Sequence, residues 1–281
     1  MGIATLADYK AALKQPHQKI VASRSVTYLA SIDSWTSLWQ SGGTGGTGAA
    51  PATTRACSSA TLGAIAQWPT PAAGFYLRPI AYTLMPCGFN RTATGTSLAL
   101  FDRLVDHAGC VANVATAQTT NFPTAALPRE TSGAGVWPFI EVYGAIGSTT
   151  TTVTISYTNQ DGVSGRTSLP QTIGGSFRNG AQNLIPIPLQ DGDTGVRSVQ
   201  SMTLAATTGT AGNIGIVLAK PWVLLSCKLH QGWGVDLMRG MREAPILPDS
   251  ACLWAAMPSL GGTTFTTSPV GFSLSFARTD T

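Results

Sequence analysis

Charge is the scarcest commodity in this chain. Of 281 residues, 17 are Lys or Arg and 13 are Asp or Glu, together 11%, against an ordinary share of about a quarter. Whole stretches carry none: 34–54, 56–77, 107–128 and 198–219 are uncharged. Disordered chains are rich in charge and poor in apolar residues, and the 43% hydrophobic content here excludes that class. The net charge of +4 comes from basic residues placed singly. Nucleic-acid binding needs several phosphates neutralised together, so direct nucleic-acid binding is not expected. Histidine is nearly missing too, at three residues, which leaves little material for acid–base catalysis.

Other absences narrow the reading further. No apolar run approaches the roughly 18 residues of a membrane-spanning helix, so no membrane insertion is expected. The start, MGIATLADYKAALKQ, has no basic segment followed by an apolar one, so no secretory leader is expected. Gly2 follows Met1, but Leu6 breaks the myristoylation pattern. The five cysteines, Cys57, Cys87, Cys110, Cys227 and Cys252, form no CxxC pair. Their odd number and wide spacing suit reduced, buried thiols in a reducing cytoplasm, with one or two disulfides as the alternative.

Motifs that bring chemistry fail on inspection. Asp191-Gly192-Asp193-Thr194-Gly195 opens like a calcium loop, but the twelfth position is Met202 rather than Glu. A polar turn between strands is the expectation. His107 and Cys110 lie near Asp106 without the further close ligands of a zinc site, so no metal is expected. No nucleophile elbow, phosphate loop or dinucleotide fingerprint occurs. The sequence predicts no catalytic residues and no cofactor.

What is abundant is Thr, at 37 residues, with 31 Gly and 17 Pro. Thr and Val fit pleated strands, and Gly and Pro punctuate turns. The expected class is mainly β, a β-sandwich or jelly-roll-like body with a short N-terminal helix and an extended arm. The arm spans 1–55 and the body 56–281, the latter divisible into 56–146 and 147–281.

Within the arm, residues 5–15 read as a helix. Thr5 caps it, Asp8 lies in the first turn, and Leu6, Tyr9 and Leu13 share a face. Such a short helix must dock on something. Residues 17–32 read as extended, and Trp35 and Trp39 as a short helical turn. These five side chains, Leu6, Tyr9, Leu13, Trp35 and Trp39, are the expected interface residues, with ordinary core burial the plainer reading for the tryptophans. The low-complexity stretch SGGTGGTGAAPATT (41–54) is a linker or an arm laid on a neighbour.

In the body, 74–85 reads as strand with Pro79 at a bulge or edge. Residues 97–109 read as a helix, with Leu98, Phe101, Leu104 and Val105 opposite Asp102, Arg103 and Asp106, and with His107 at its C-terminus. Alternation predicts a strand over 135–146. Residues 149–170 read as strand, turn at 159–162, and strand. Further strands are expected at 183–189, 196–206 and 213–225, and two more in 251–277 around Gly261-Gly262. Trp137, Trp222 and Trp233 are candidates for a sugar-binding surface, against burial in the core.

The phrases TVTISYTNQDGVSGRTS (152–168) and PIPLQDGDTGVRSVQSMTLAATTGTAGNIGIVLAKP (186–221) resemble a β-rich family of tailed-bacteriophage virion proteins. The resemblance covers about the C-terminal half and carries no active-site residues. It implies a non-enzymatic virion structural protein, assembled in the host cytoplasm. Its expected role is capsid decoration or cement, self-associated, as a trimer for example, on the major capsid protein. The alternatives are a receptor- or glycan-binding tail or fibre component, and the major capsid protein itself. The last would need a long charged helix that this sequence does not suggest.

Overall fold

The computed structural model describes residues 18–26, 35–43, 45–65, 76–85, 96–120, 122, 127–227, 234–235, 247–248, 250–258 and 268–278. Among the described residues there is no helix, and every strand pairing is antiparallel. The mainly β expectation therefore holds. The centre is a closed ring of six strands. These are β2 (Trp35–Ser37), β6 (Thr96–Asp106), β8 (Trp137–Gly144), β12 (Asn183–Pro186), β14 (Asn213–Cys227) and β17 (Leu253–Pro258). They run in the order β14-β8-β12-β2-β17-β6, and β6 pairs back to β14. A short strand, β4 (Arg55–Ala56), adds to β6. Strands from either side of residue 55 and of residue 146 share this ring.

A barrel this small has no lumen; its interior must be filled by side chains. Strand β8 shows how one sequence serves both sides. Phe139, Glu141 and Tyr143 face inward, and Phe139 and Tyr143 join Phe101, Leu184 and Trp254 in one buried cluster. Ile140 and Val142 face outward into a second cluster with Ile185, Ile214 and Ile216. Both faces of β8 are thus buried, as its pattern of six consecutive buried residues records.

The outward cluster is closed by a second sheet. It comprises β7 (Gln118–Thr119), β9 (Thr151–Asn159), β10 (Arg166–Thr167), β11 (Gln171–Ile173) and β13 (Val196–Leu204). Along β9 burial alternates strictly. Val153, Ile155 and Tyr157 enter the shared core, and Thr152, Thr154 and Thr158 stay half-buried on the other face. That is the period-2 pattern of a sheet with one face on the core. The expected turn follows β9: Gly162 N–H donates to Asn159 C=O at 3.1 Å.

A third sheet holds β1 (Gln18–Val26), β3 (Gly42–Gly43), β5 (Tyr76–Met85), β15 (Gly234–Val235), β16 (Leu247–Pro248) and β18 (Ser268–Arg278). The β5–β18 register slips beside Pro79, so the bulge expected there is present.

Three expectations need correction. Residues 97–109 are not a helix: 96–106 form β6, a barrel strand paired with β14, β17 and β4. The four-residue spacing of its apolar side chains arises because both faces are buried and Leu104 is skipped in the pairing with β14, which shifts the alternation. His107 accordingly ends a strand. Trp35 lies in strand β2, not on a helical turn. The helix expected at 5–15 and the turn at Gly261-Gly262 lie outside the described residues.

The glycine-rich stretch folds back on Trp39, which is wholly buried. Gly48 N–H donates to the Trp39 carbonyl at 2.9 Å, and a Cβ at Gly48 would stand 2.4 Å from the indole nitrogen. Gly63 closes the same spot, since its Cβ would stand 2.7 Å from the Gly48 Cα. Gly48→Ala is therefore expected to destabilise the chain by about 1–3 kcal/mol through overpacking. Gly42→Ala, whose Cβ would meet only Thr47 Oγ1 at an ordinary 3.9 Å, is expected to stay within about 0.5 kcal/mol. Urea unfolding of the two variants checks this contrast.

Candidate functional site

Inside the barrel lies a network built from the chain's rare charges. Arg103, Asp106 and Glu141 are fully buried. Each is placed by a strand: Arg103 and Asp106 by β6, Glu141 by β8. Arg103 Nη2 lies 2.7 Å from Glu141 Oε2 and donates to Asp106 Oδ2 at 2.9 Å and to the Tyr143 hydroxyl at 2.6 Å. Arg55 reaches in from β4 and clasps Asp106 with Nε at 2.9 Å and Nη2 at 3.0 Å. Ser37 Oγ donates to Glu141 Oε1 and accepts from the Trp254 indole N–H at 3.2 Å.

The Arg103 guanidinium is flanked by aromatic rings. Its central carbon lies 4.1 Å from the Trp39 ring centroid and 5.0 Å from that of Trp254. Nη1 makes no hydrogen bond, and the electron-rich ring faces compensate it electrostatically. Two arginines face two acids, so the group is balanced.

Burial alone would weaken the Arg103 charge, but Glu141, Tyr143 and Asp106 outweigh it and hold its pKa well above the usual value. Asp106 is held below the ordinary carboxyl range, because Arg103 and Arg55 overcome the effect of burial. Burial, the largest effect, pushes the Tyr143 phenol well up. A second pair caps the barrel wall: Arg129 donates to both Asp102 oxygens at 2.8 Å, and Cys252 N–H donates to Oδ1 at 2.9 Å. These groups are locked in place, an arrangement that fixes strands against one another.

His107 belongs to the rim. Thr54 Oγ1 donates to the Thr120 carbonyl at 2.6 Å, so the 2.8 Å contact between Thr54 Oγ1 and His107 Nδ1 must use the imidazole proton. The ring is thus the Nδ1–H tautomer when neutral. Burial lowers its pKa below 6.5, against the pull of Asp106. Cys110 is nearby in sequence but is a free buried thiol, pushed up by burial to about 11. Cys57 and Cys252 are also free and buried; Cys87 and the Cys227 side chain lie outside the described residues. Among the described residues no group of three metal-ligating side chains assembles.

On the surface, a groove of about 390 Å³ runs beside the start of β8. Trp137, Leu189, Gln190, Asp191, Asp193 and Thr194 are among its walls. The Asp191–Gly195 stretch is the polar turn expected from its sequence: Asp193 N–H donates to Gln190 C=O at 3.1 Å. Asp193 is held by the Tyr157 hydroxyl, by Asn159 Nδ2 at 2.8 Å and by Arg166 Nε at 2.9 Å.

The residues singled out from the sequence are scattered. Leu6, Tyr9, Leu13 and Trp233 lie outside the described residues. Trp39 is buried beside Arg103, and Trp35 packs 5.8 Å from Phe101 and 6.1 Å from Phe139, both within this chain's own core. Trp222 is half-buried, and Trp137 is exposed. The sequence reading missed the Arg103 network. Its signal was a lone acid inside an apolar strand, FIEVY, beside a second one, LFDRLVD. No family model, curated protein or solved structure matches this chain.

Two outcomes follow. Arg103→Met leaves two buried acids facing less positive charge, and a cost of about 3–5 kcal/mol is expected. The double variant Arg103→Met/Glu141→Leu should recover part of that loss, as a double-mutant cycle by urea unfolding would show. For His107, the folded pKa lies below the unfolded one, so the unfolded state takes up protons first. Its contribution to stability is present above the unfolded pKa and is lost as the pH falls through the folded one. Thermal midpoints should fall between about pH 7.5 and about pH 5.5, with a shallower slope in His107→Asn.

Proposed function

We propose that this chain is a non-enzymatic structural protein of a virus particle, decorating or cementing a capsid shell by packing against copies of itself and against the major capsid protein. The observation that carries this reading is where the charge sits. Of a small supply, Asp102, Arg103, Asp106 and Glu141 are buried, which leaves the outer surface more neutral than the composition alone implies. Large apolar side chains stand out on it instead, among them Leu62, Val163, Leu169, Phe177 and Leu224. A free monomer normally keeps its surface charged. Neutral surfaces pack together with a small desolvation penalty, because burying charge is what costs most.

The resemblance of 152–168 and 186–221 to tailed-phage virion proteins supports the same role. So does the body plan, which we read as jelly-roll-like where the second sheet lies on the barrel wall. Shell opening would then expose the packed area again, at about 25 cal/mol per apolar Å².

The test has two arms. Sedimentation of the purified chain should give an oligomer, a trimer on this reading, and Phe177→Asp or Leu224→Asp should weaken association without lowering the thermal midpoint. Mass spectrometry of intact particles should find the chain beside the capsid protein. A stable monomer that is absent from particles would end this reading.

A further inference from the structure

We propose that the groove beside Trp137 is a binding site for the neutral hexopyranose units of a glycan. The site is separate from the buried network and does not depend on the packing role. Its floor is an aromatic platform. Trp137 is 43% exposed, and its ring stands 6.4 Å from Phe101 and 6.4 Å from Phe139. Those two rings are themselves fixed, 5.4 Å apart and edge to face. Trp137 is the solvent end of an aromatic row that runs into the barrel, so its orientation is set before any ligand arrives. A pyranose ring offers a face of C–H bonds that packs on such an indole, while its hydroxyls project from the rim.

The polar groups suit those hydroxyls. Among the described residues no hydrogen bond holds the Asp191 carboxylate or the Gln190 side-chain amide, and both line the groove. Together they offer acceptors and donors to adjacent hydroxyls. The turn that carries them is rigid. Asp193 is held by three side chains, and Gln160 Oε1 accepts from the backbone of Thr194 at 2.9 Å and of Gly195 at 3.2 Å. A pocket with an apolar wall and a few fixed polar groups is the usual design of a small-ligand site, and 390 Å³ falls within the common range of about 300–1,000 Å³.

Charge then narrows the ligand. Among the described residues no Lys or Arg lines the groove, and no ion pair joins Asp191. Sialic acids, uronic acids and phosphorylated sugars would meet an unpaired carboxylate, so neutral sugars are favoured. The site also binds without cleaving. Among the described residues of the groove the second acid is Asp193. Its hydrogen bonds from Tyr157, Asn159 and Arg166 outweigh burial and hold it ionised below the ordinary range, so it has no proton to give a leaving group.

The full chain should be applied to an array of neutral, amino and acidic oligosaccharides, and the strongest hit titrated as free sugar by calorimetry. Neutral hexopyranosides should bind, with about millimolar affinity for one shallow site, and be recovered uncleaved. Trp137→Ala should weaken binding about tenfold or more, and Asp191→Asn about fivefold. Asp191 is exposed and unpartnered, so its variant should melt with the wild type and keep the test meaningful if Trp137→Ala is unstable. A silent array, hits confined to acidic sugars, or affinity unchanged in Asp191→Asn and in a folded Trp137→Ala would each overturn the proposal. Self-association that depends on Trp137, with no sugar bound, would assign the groove to a subunit contact and overturn it as well.

Discussion

The guanidinium of Arg103, sealed between two tryptophan rings and facing two acids, is the constraint on which the barrel depends. A buried cation is tolerable only where its partners are fixed in place. Here those partners come from different parts of the chain: Asp106 from the same strand, Glu141 and Tyr143 from β8, Trp39 from the segment after β2, and Trp254 from β17. Ser37 then links Glu141 to the Trp254 indole. Each contact ties another strand to the same point. The apolar filling of Phe101, Phe139, Leu184 and Ala219 stabilises closure without naming a register. The polar network does name one, because a one-residue slip would turn Arg103 or Glu141 to the opposite face.

The glycine-rich segment takes its meaning from that point. Trp39 is approached closely by backbone as well as by Arg103, and only residues without a side chain can come so near. Gly48 and Gly63 meet over its ring, with Gly63 also at a positive φ of 104°. Gly48, the last residue of SGGTGGTG, is therefore a packing requirement on one indole, while Gly46 makes room for Leu62. Thr54, at the end of the same stretch, then joins the rim through His107. A sequence that reads as a flexible connection is, from Gly45 to Thr54, part of the lid of the barrel.

This explains which parts of the fold were legible. Strand β9 has one face on a core and one outside, so TTVTISYTN alternates and reads correctly. Strands β8, β13 and β14 were visible for similar reasons of β-branched content and flanking turns. Strand β6 was misread because neither of its faces meets water. Its charged residues point at partners far away in sequence, Asp106 at Arg55 and Asp102 at Arg129. A pattern of apolar and charged residues that would be an amphipathic helix on a surface is here a strand with a charged core. Closure of the ring was equally hidden, since it rests on the β6–β14 pairing across more than a hundred residues. The Trp137 groove was half legible: DGDTG reads as a polar turn from its residues, but the exposure of Trp137 and its meeting with that turn are set by the alignment of β12 with β8.

Sheet edges decide how such a molecule can associate. The barrel ring has no free edge, and closure is what removes one. The two open sheets end in strands of two or three residues: β7, β10 and β11 in one, and β3, β15 and β16 in the other. Short edge strands are poor templates for adding another chain's strand. Side-chain faces then offer a further route for association through the described residues, and Phe177 at 53% and Leu224 at 60% exposure stand on them. Four of the chain's few charges, Asp102, Arg103, Asp106 and Glu141, lie inside, where they fix the register rather than cover the surface. The scarcity of charge and the closure of the barrel are two sides of one arrangement.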